Sequence, residues 1–182
     1  PFGRLVSRVL RELERGESVL DLPASKWVRG LPGRDLTVGM HGALAASPLG
    51  PAAGPHTQLA QNIVLGYLGG ARIFELKTVQ ILDELTIPRP CIDMRTVGFN
   101  VEWSQELKIE QSLAEYVKAS MLIDLLRADE RLNLAGRDRR PIFDMSVGYD
   151  LKGLQTARVG DFVRGMKDAR EIVARLSKQL PS

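Results

Sequence analysis

The chain has 182 residues, of which 44% are hydrophobic, 26% are charged and 5% are aromatic, and its formal net charge is +3. This length suffices for one sizeable core and is too short for two full domains. The weak, scattered positive charge and the few aromatic side chains predict no nucleic-acid partner. One cysteine excludes a disulfide framework or a self-contained iron–sulfur or zinc cluster, and it fits a reducing cytoplasm.

No apolar run reaches the roughly 18 residues of a membrane span, and no signal-peptide pattern opens the chain. The sequence therefore predicts a cytoplasmic protein with no membrane partner. The first residue is Pro1 rather than methionine, so we expect that at least an initiator residue has been removed.

The first part of the chain, residues 1–34, is predicted to form an N-terminal helix and a packed linker. Residues 2–15 place apolar side chains on one helical stripe, and Gly16 ends the pattern. In residues 18–34 the apolar side chains have no period and alternate with prolines and glycines, which is typical of irregular packed structure. Residues 35–44 resemble a small hairpin that leads into the next segment.

Residues 47–80 carry the strongest pattern in the chain. Small residues and prolines predict a tight strand near 48–53, an amphipathic helix follows over 59–68, and a glycine pair ends it. Residues 73–78 are apolar or β-branched except at Glu75 and Lys77, which predicts a second strand near 72–78. Strand, helix and strand in about thirty residues form a βαβ unit with a right-handed crossover.

The second half of the chain continues the alternation. Residues 81–110 are predicted to form a long loop of the kind that is more often functional than idle. Ser112 and Glu115 form a capping box for a helix that ends near Arg127, and residues 129–140 form a charged, solvated loop. Residues 141–147 form a third buried strand, and one last helix runs over 159–178 with Val173 on its buried face.

This alternation predicts an α/β fold with a parallel sheet covered by helices. Neither a Gly-x-Gly-x-x-Gly sequence nor a Walker motif follows a strand, which disfavours a nucleotide-binding Rossmann fold. We therefore predict that residues 35–182 are the first strands and helices of a (β/α)₈ TIM barrel that this chain leaves incomplete. The rest of its own polypeptide, or a second copy, would cover the exposed barrel edge.

Several motifs carry a resemblance to known families. Residues 47–54 (SPLGPAAG) resemble the first barrel strand of dihydroorotate and dihydropyrimidine dehydrogenases, and residues 75–78 (ELKT) are similar to their second-strand end. Residues 98–100 (GFN) resemble their substrate loop. Five longer segments resemble the N-terminal barrel of the selenate reductase subunit family, namely residues 50–62, 75–83, 90–93, 100–104 and 145–150. That family is similar to glutamate synthase small subunits and dihydropyrimidine dehydrogenase.

The resemblance implies a barrel of the dihydroorotate dehydrogenase type within an NADPH-dependent iron–sulfur flavoprotein oxidoreductase. It implies FMN in the complete barrel, with FAD, NADPH and [4Fe–4S] clusters in downstream domains, and a molybdenum enzyme or another redox subunit as partner. It assigns substrate binding to Asn100. The cofactor-binding residues that it implies are Ala52, Ala53, Gly54, Lys77 and Thr78.

These residue types suit a flavin. Small residues let a flat isoalloxazine ring approach the backbone, and a lysine beside the ring stabilises its reduced anion. Thr78 and Asn100 would donate hydrogen bonds to the ring or to a substrate. The catalytic residues are unknown, and the flavin-phosphate loops of later barrel strands are absent, so this chain alone is expected to be inactive.

Two alternatives remain open. Pro51 and residues 55–57 depart from the dehydrogenase pattern, which leaves room for a non-catalytic scaffold barrel that docks electron-transfer domains or partner subunits. An aldolase-like barrel with a Schiff base on Lys77 is a weaker alternative.

The remaining polar and reactive residues have ordinary structural explanations. His41 and His56 lack neighbouring ligands at metal-binding spacing, so no metal site is predicted. Cys91 is interpreted as a small buried apolar residue. Four further loop residues are interpreted as turn caps or packing residues, namely Asp83, Asp93, Glu102 and Trp103.

Overall fold

The structure, a computed structural model, describes residues 1–81, 92–93, 99–100, 107–148 and 150–181. Its helices are α1 (Phe2–Arg15), α2 (Ala60–Leu68), α3 (Ile109–Ala128), α4 (Leu151–Leu154), α5 (Ala157–Lys167) and α6 (Arg170–Ser177). Its strands are β1 (Ser18–Val19), β2 (Leu22–Pro23), β3 (Val38–Met40), β4 (Ala43–Ala45), β5 (Ile73–Gln80), β6 (Ile92–Asp93), β7 (Phe99–Asn100) and β8 (Ile142–Gly148). Short 3₁₀ helices cover Ala24–Lys26, Pro55–Thr57 and Glu130–Leu132.

The N-terminal region confirms the predicted helix and adds a hairpin to the predicted linker. Gly16 ends α1 in the left-handed conformation, with φ of 70°, and its N–H is bonded to the carbonyls of Glu12 and Leu13. The linker is less irregular than predicted, because β1 and β2 pair antiparallel within it. The predicted hairpin at residues 35–44 forms as β3 and β4, and it turns at His41 and Gly42, both with positive φ.

The centre of the fold is the parallel pair β5 and β8, which α3 connects. Phe74 and Leu76 of β5 are buried on the face that the helices cover, and the ring of Phe74 stacks on Phe143 at 5.5 Å between centroids. Gly66 of α2 lies against Phe74, and Tyr116 of α3 reaches the β5 backbone. The second and third predicted strands and the helix between them are therefore confirmed as one β–α–β unit.

The strand predicted near 48–53 is wrong as a regular strand. The amides of Ile73 and Glu75 do donate to the carbonyls of Leu49 and Pro51, as they would in a parallel pair. The return bond to the Ile73 carbonyl would have to come from residue 51, and proline has no N–H. The next donor, Ala53, gives its N–H to the side chain of Glu75 instead. The segment therefore lies along β5 without completing a ladder.

The predicted start of the long helix is also wrong. α3 begins at Ile109, where the N–H of Lys108 donates to Oε1 of Gln111 at 2.9 Å. Ser112 is fully buried inside α3 rather than capping it. The carboxylate of Glu115 accepts the N–H of Ala60 at 2.9 Å, so it caps α2 and not its own helix.

The last predicted helix is broken in the structure into α5 and α6, with α4 before them. Asp168 takes an extended conformation after α5, and its carboxylate accepts the N–H of Arg170 at 3.2 Å, which starts a new helix. Val173, predicted to be buried, is 37% exposed.

The α/β class that the sequence predicts is confirmed. The described residues form a mixed α/β fold in which β8 pairs with β5 alone, and they contain no closed barrel. In the long segment after β5, the structure describes only the antiparallel pair β6 and β7. Asp83, Cys91, Glu102 and Trp103 lie outside the described residues. Among the described helices, none is both long and apolar enough to cross a bilayer.

Candidate functional site

A register shift lies at the carboxyl end of β5, where the sequence predicts cofactor-binding residues. Leu76 pairs with Met145 and Val79 pairs with Val147, so two residues of β5 lie opposite the single residue Ser146. Those two residues are Lys77 and Thr78. This is the arrangement of a β-bulge, which in many proteins re-aims side chains beside an active site.

The shift decides which face these side chains occupy. In a regular strand, neighbouring residues point to opposite faces of the sheet. Leu76 and Val79 are both buried on the helix-covered face, with at most 1% exposure. The residues between them, Lys77 and Thr78, are therefore both displaced away from the helices. Lys77 is 7% exposed and Thr78 is half-buried.

The carbonyl of Lys77 has a partner outside the sheet. The hydroxyl of Tyr116, on α3, donates to this oxygen at 2.6 Å, and both residues are buried. Burial raises the pKa of Tyr116 well above its ordinary value, so the hydroxyl keeps its proton and remains a donor. The helix layer thus holds the backbone at the register shift.

Glu75 connects the two predicted cofactor-binding segments. It lies two residues before Lys77 on the same face of β5, and its Oε2 accepts the N–H of Ala53 at 3.1 Å. Ala52 is exposed, Ala53 is half-buried and Gly54 is buried. The structure therefore places Ala53 beside Glu75, two residues before Lys77.

The turn after Gly54 is closed by its own hydrogen bonds. The N–H of Gly54 donates to Oγ1 of Thr57 at 3.1 Å, and the N–H of Thr57 donates to the Gly54 carbonyl at 3.0 Å. A Cβ on Gly54 would come within 2.8 Å of the His56 ring. The exposed ring of His56 thus lies against the glycine.

These residues fit a flavin through shape and charge. Ala53 lies beside Glu75, two residues before Lys77, and a lysine ammonium with a threonine hydroxyl is a donor set that suits a ring with an electron-rich edge. The amides of Ala53 and Gly54 already bond to Glu75 and Thr57, so residues 52–54 would contact a ring by packing and not by those two N–H groups.

A second carboxylate shares this face of the sheet. Asp144 of β8 pairs in register with Glu75, and its Oδ2 lies 3.1 Å from Nε2 of His41 in the β3–β4 turn. Each of the two carboxylates therefore contacts a segment outside the β5–β8 pair. No group of three potential metal ligands occurs among the described residues.

Sequence reasoning missed one residue, Tyr116, and one contact of Glu75. Tyr116 was not among the predicted contacts, because a tyrosine at a helical spacing gives no sign of its partner. The spacing of Glu75 and Lys77 did predict a shared face, but not the bond to Ala53. The backbone of Asn100, in β7, pairs with Ile92 of β6, and the side chain of Asn100 lies outside the described part of the structure.

A family model described as "Oxidoreductase YgfK, N-terminal TIM-barrel domain" matches residues 21–179. The chain belongs to this family. It is 42% identical over 171 residues to the protein named "Putative oxidoreductase YgfK" in Escherichia coli K12, and equally to the protein of that name in E. coli O157:H7. The alignment covers 94% of this chain and 16% of each relative, so the chain spans about a sixth of their length. No solved structure matches it.

Proposed function

We propose that this chain is the N-terminal barrel portion of an NADPH-dependent iron–sulfur flavoprotein oxidoreductase of the selenate reductase subunit type. The observation that carries the proposal is the register shift in β5, which puts Lys77 and Thr78 on one face, next to the segment that Glu75 holds. In TIM barrels this carboxyl end of the strands is where active sites form. The family's description as an oxidoreductase supports the same conclusion.

In this proposal the complete barrel is of the dihydroorotate dehydrogenase type and holds FMN, which supplies the electron-transfer chemistry when it is bound. Ala52, Ala53 and Gly54 offer a surface for a flat ring. The ammonium of Lys77 offsets negative charge on the reduced ring, and Thr78 donates a hydrogen bond. Asn100 would contact the substrate.

The rest of the proposed assembly lies beyond this chain. FAD, NADPH and [4Fe–4S] clusters belong to other domains of a longer cytoplasmic polypeptide, and this segment alone is inactive. Its neighbours are the remainder of that polypeptide, or a second copy, at the edge of β8 that no described strand covers. A molybdenum enzyme or another redox subunit is the expected partner.

A scaffold without flavin is the second candidate, and one observation favours it. The amides of Ala53 and Gly54 are both bonded within the protein, and His56 packs against Gly54. A segment that satisfies its own donors needs no ligand to be stable. In this case the barrel would dock the electron-transfer domains or partner subunits and bind no cofactor.

Flavin content separates the two candidates. The complete polypeptide is purified as wild type, as Lys77→Met and as Lys152→Met, an exposed lysine that serves as control. Flavin is released by denaturation, and FMN and FAD are counted separately. We expect equimolar FMN in the wild type and the control, and at least about a tenfold lower FMN occupancy in Lys77→Met. FAD without FMN in the wild type would establish the scaffold instead.

A further inference from the structure

The register shift in β5 has a structural cost that the fold must meet. An extra residue in one strand of a pair leaves part of its backbone without a partner in the ladder. A buried carbonyl without a hydrogen bond is strongly disfavoured. At the shift, the Lys77 carbonyl accepts its hydrogen bond from the Tyr116 hydroxyl at 2.6 Å. Tyr116 is 3% exposed, so water does not replace it readily.

We propose that Tyr116 is a positioning residue that keeps the register shift in β5 and thereby keeps Lys77 and Thr78 on the same face. Without the hydroxyl, the strand can satisfy its carbonyl by returning to a regular ladder. Regular alternation would then turn one of the two side chains toward the helices. The role of that face as a flavin site rests on the proposed function, whereas the link between Tyr116 and the shift does not.

The chain offers a matched control for this proposal. Tyr67 of α2 is also fully buried, but its hydroxyl has no hydrogen-bond partner among the described residues. Tyr67→Phe and Tyr116→Phe each remove one buried hydroxyl and keep the ring. Only Tyr116→Phe removes a hydrogen bond to the strand.

The test compares wild type, Tyr116→Phe and Tyr67→Phe of the complete polypeptide by three measurements. Hydrogen exchange follows the amides of residues 77–80. Partial acylation with acetic anhydride gives the ratio of Lys77 to Lys152 modification, and denaturation gives the FMN content. In Tyr116→Phe we expect about tenfold faster exchange at residues 77–80 and an altered acylation ratio. FMN, where the wild type holds it, is expected to fall about tenfold. Tyr67→Phe should match the wild type in all three.

Each other outcome has a definite meaning. Unchanged exchange in Tyr116→Phe overturns the proposal, and so does faster exchange that leaves the Lys77 acylation ratio unchanged. If amide exchange becomes equally faster in Tyr116→Phe and Tyr67→Phe across the whole domain, the cause is a loss of packing, and this outcome also overturns the proposal. If exchange and acylation change as expected while the wild type holds no FMN, the positioning role stands and the flavin function fails.

Discussion

The strand β5 has a buried cation near each end, and the two are held in opposite ways. At the amino end, the guanidinium of Arg72 donates to the carbonyls of Tyr67, Ala71 and Ala135 and lies 4.1 Å from the Tyr67 ring. At the carboxyl end, it is the backbone of Lys77 that the helix layer holds, through Tyr116. At the amino end hydrogen bonds from the side chain hold Arg72 to the fold, whereas at the carboxyl end a hydrogen bond from the helix layer holds the backbone of Lys77.

In TIM barrels, active sites lie at the carboxyl ends of the strands, whereas residues at the amino ends contribute to stability. Arg72 is 2% exposed and burial lowers its pKa, yet arginine remains charged, so its hydrogen bonds must all be made within the protein. We therefore expect substitutions at the Arg72 end to change stability most and those at the Lys77 end to change binding most.

The largest effect is expected from Arg72→Met. The change removes the guanidinium donor from the carbonyls of Ala71 and Ala135 and leaves the Tyr67 carbonyl with the Gly70 N–H alone, so the free energy of unfolding should fall by about 3 kcal/mol or more. Arg29→Met is the control, because Arg29 is exposed and lies over the Trp27 ring at 5.6 Å. Urea unfolding followed by circular dichroism measures both. Similar losses in the two variants would mean that the buried carbonyls do not depend on Arg72.

Gly50→Ala is expected to have the next largest effect. A Cβ at this position would lie 2.1 Å from the Ile73 carbonyl oxygen, so the segment at residues 49–51 would have to leave the edge of β5. Overpacking of this kind costs about 1–3 kcal/mol in the free energy of unfolding. Gly39→Ala is the control, since a Cβ there meets no atom within 4 Å. An unchanged urea midpoint for Gly50→Ala would show that this edge yields freely.

Glu75→Ala tests the site end with a more local effect. Loss of the carboxylate removes the acceptor of the Ala53 N–H, and exchange of that amide should rise about tenfold, which corresponds to about 1.4 kcal/mol. Glu75→Gln keeps an oxygen acceptor and is expected to restore slow exchange. If glutamine fails to restore it, the charge of Glu75 rather than its position holds Ala53.

The smallest effect is expected at the ion pair between Glu110 of α3 and Arg158 of α5. Nε and Nη2 of Arg158 donate to Oε1 and Oε2 of Glu110 at 2.8 and 3.0 Å. The hydrogen bond from Arg158 lowers the pKa of Glu110, so the pair stabilises the protein above the ordinary carboxyl pKa of 4.5. That contribution is lost as the pH falls through the lowered pKa. Because the pair is exposed, Glu110→Gln should cost only a few tenths of a kcal/mol at pH 7, and this cost should shrink as the pH falls below 4.5, by urea unfolding.

Periodicity predicted the parts of this fold that depend on burial. The apolar stripes of α1 and α2 and the β-branched runs of β5 and β8 are visible in the sequence, because their side chains face one core. The strand at 48–53 could not be judged in this way, since its failure depends on a missing N–H at Pro51 and on a competing carboxylate from another segment. The capping role of Glu115 failed for the same reason, because its partner is distant in the chain.

The candidate site shows the same limit. Lys77 and Thr78 could be singled out by resemblance, but alternation alone would place these neighbours on opposite faces. Only the pairing with β8 shows the extra residue that brings them together. Tyr116 was unpredictable because its role depends on a carbonyl 39 positions earlier in the chain.

The bond from Ala60 to Glu115 has a consequence for synthesis of the protein. α2 has nine residues and no capping side chain of its own, which is too short for a helix to be stable alone. Its cap is supplied from 55 positions later in the chain. At about 5–20 residues per second, a ribosome needs roughly 3–11 seconds to add that stretch. During that time α2 is expected to remain unformed, and its apolar face is then a surface that chaperones can bind.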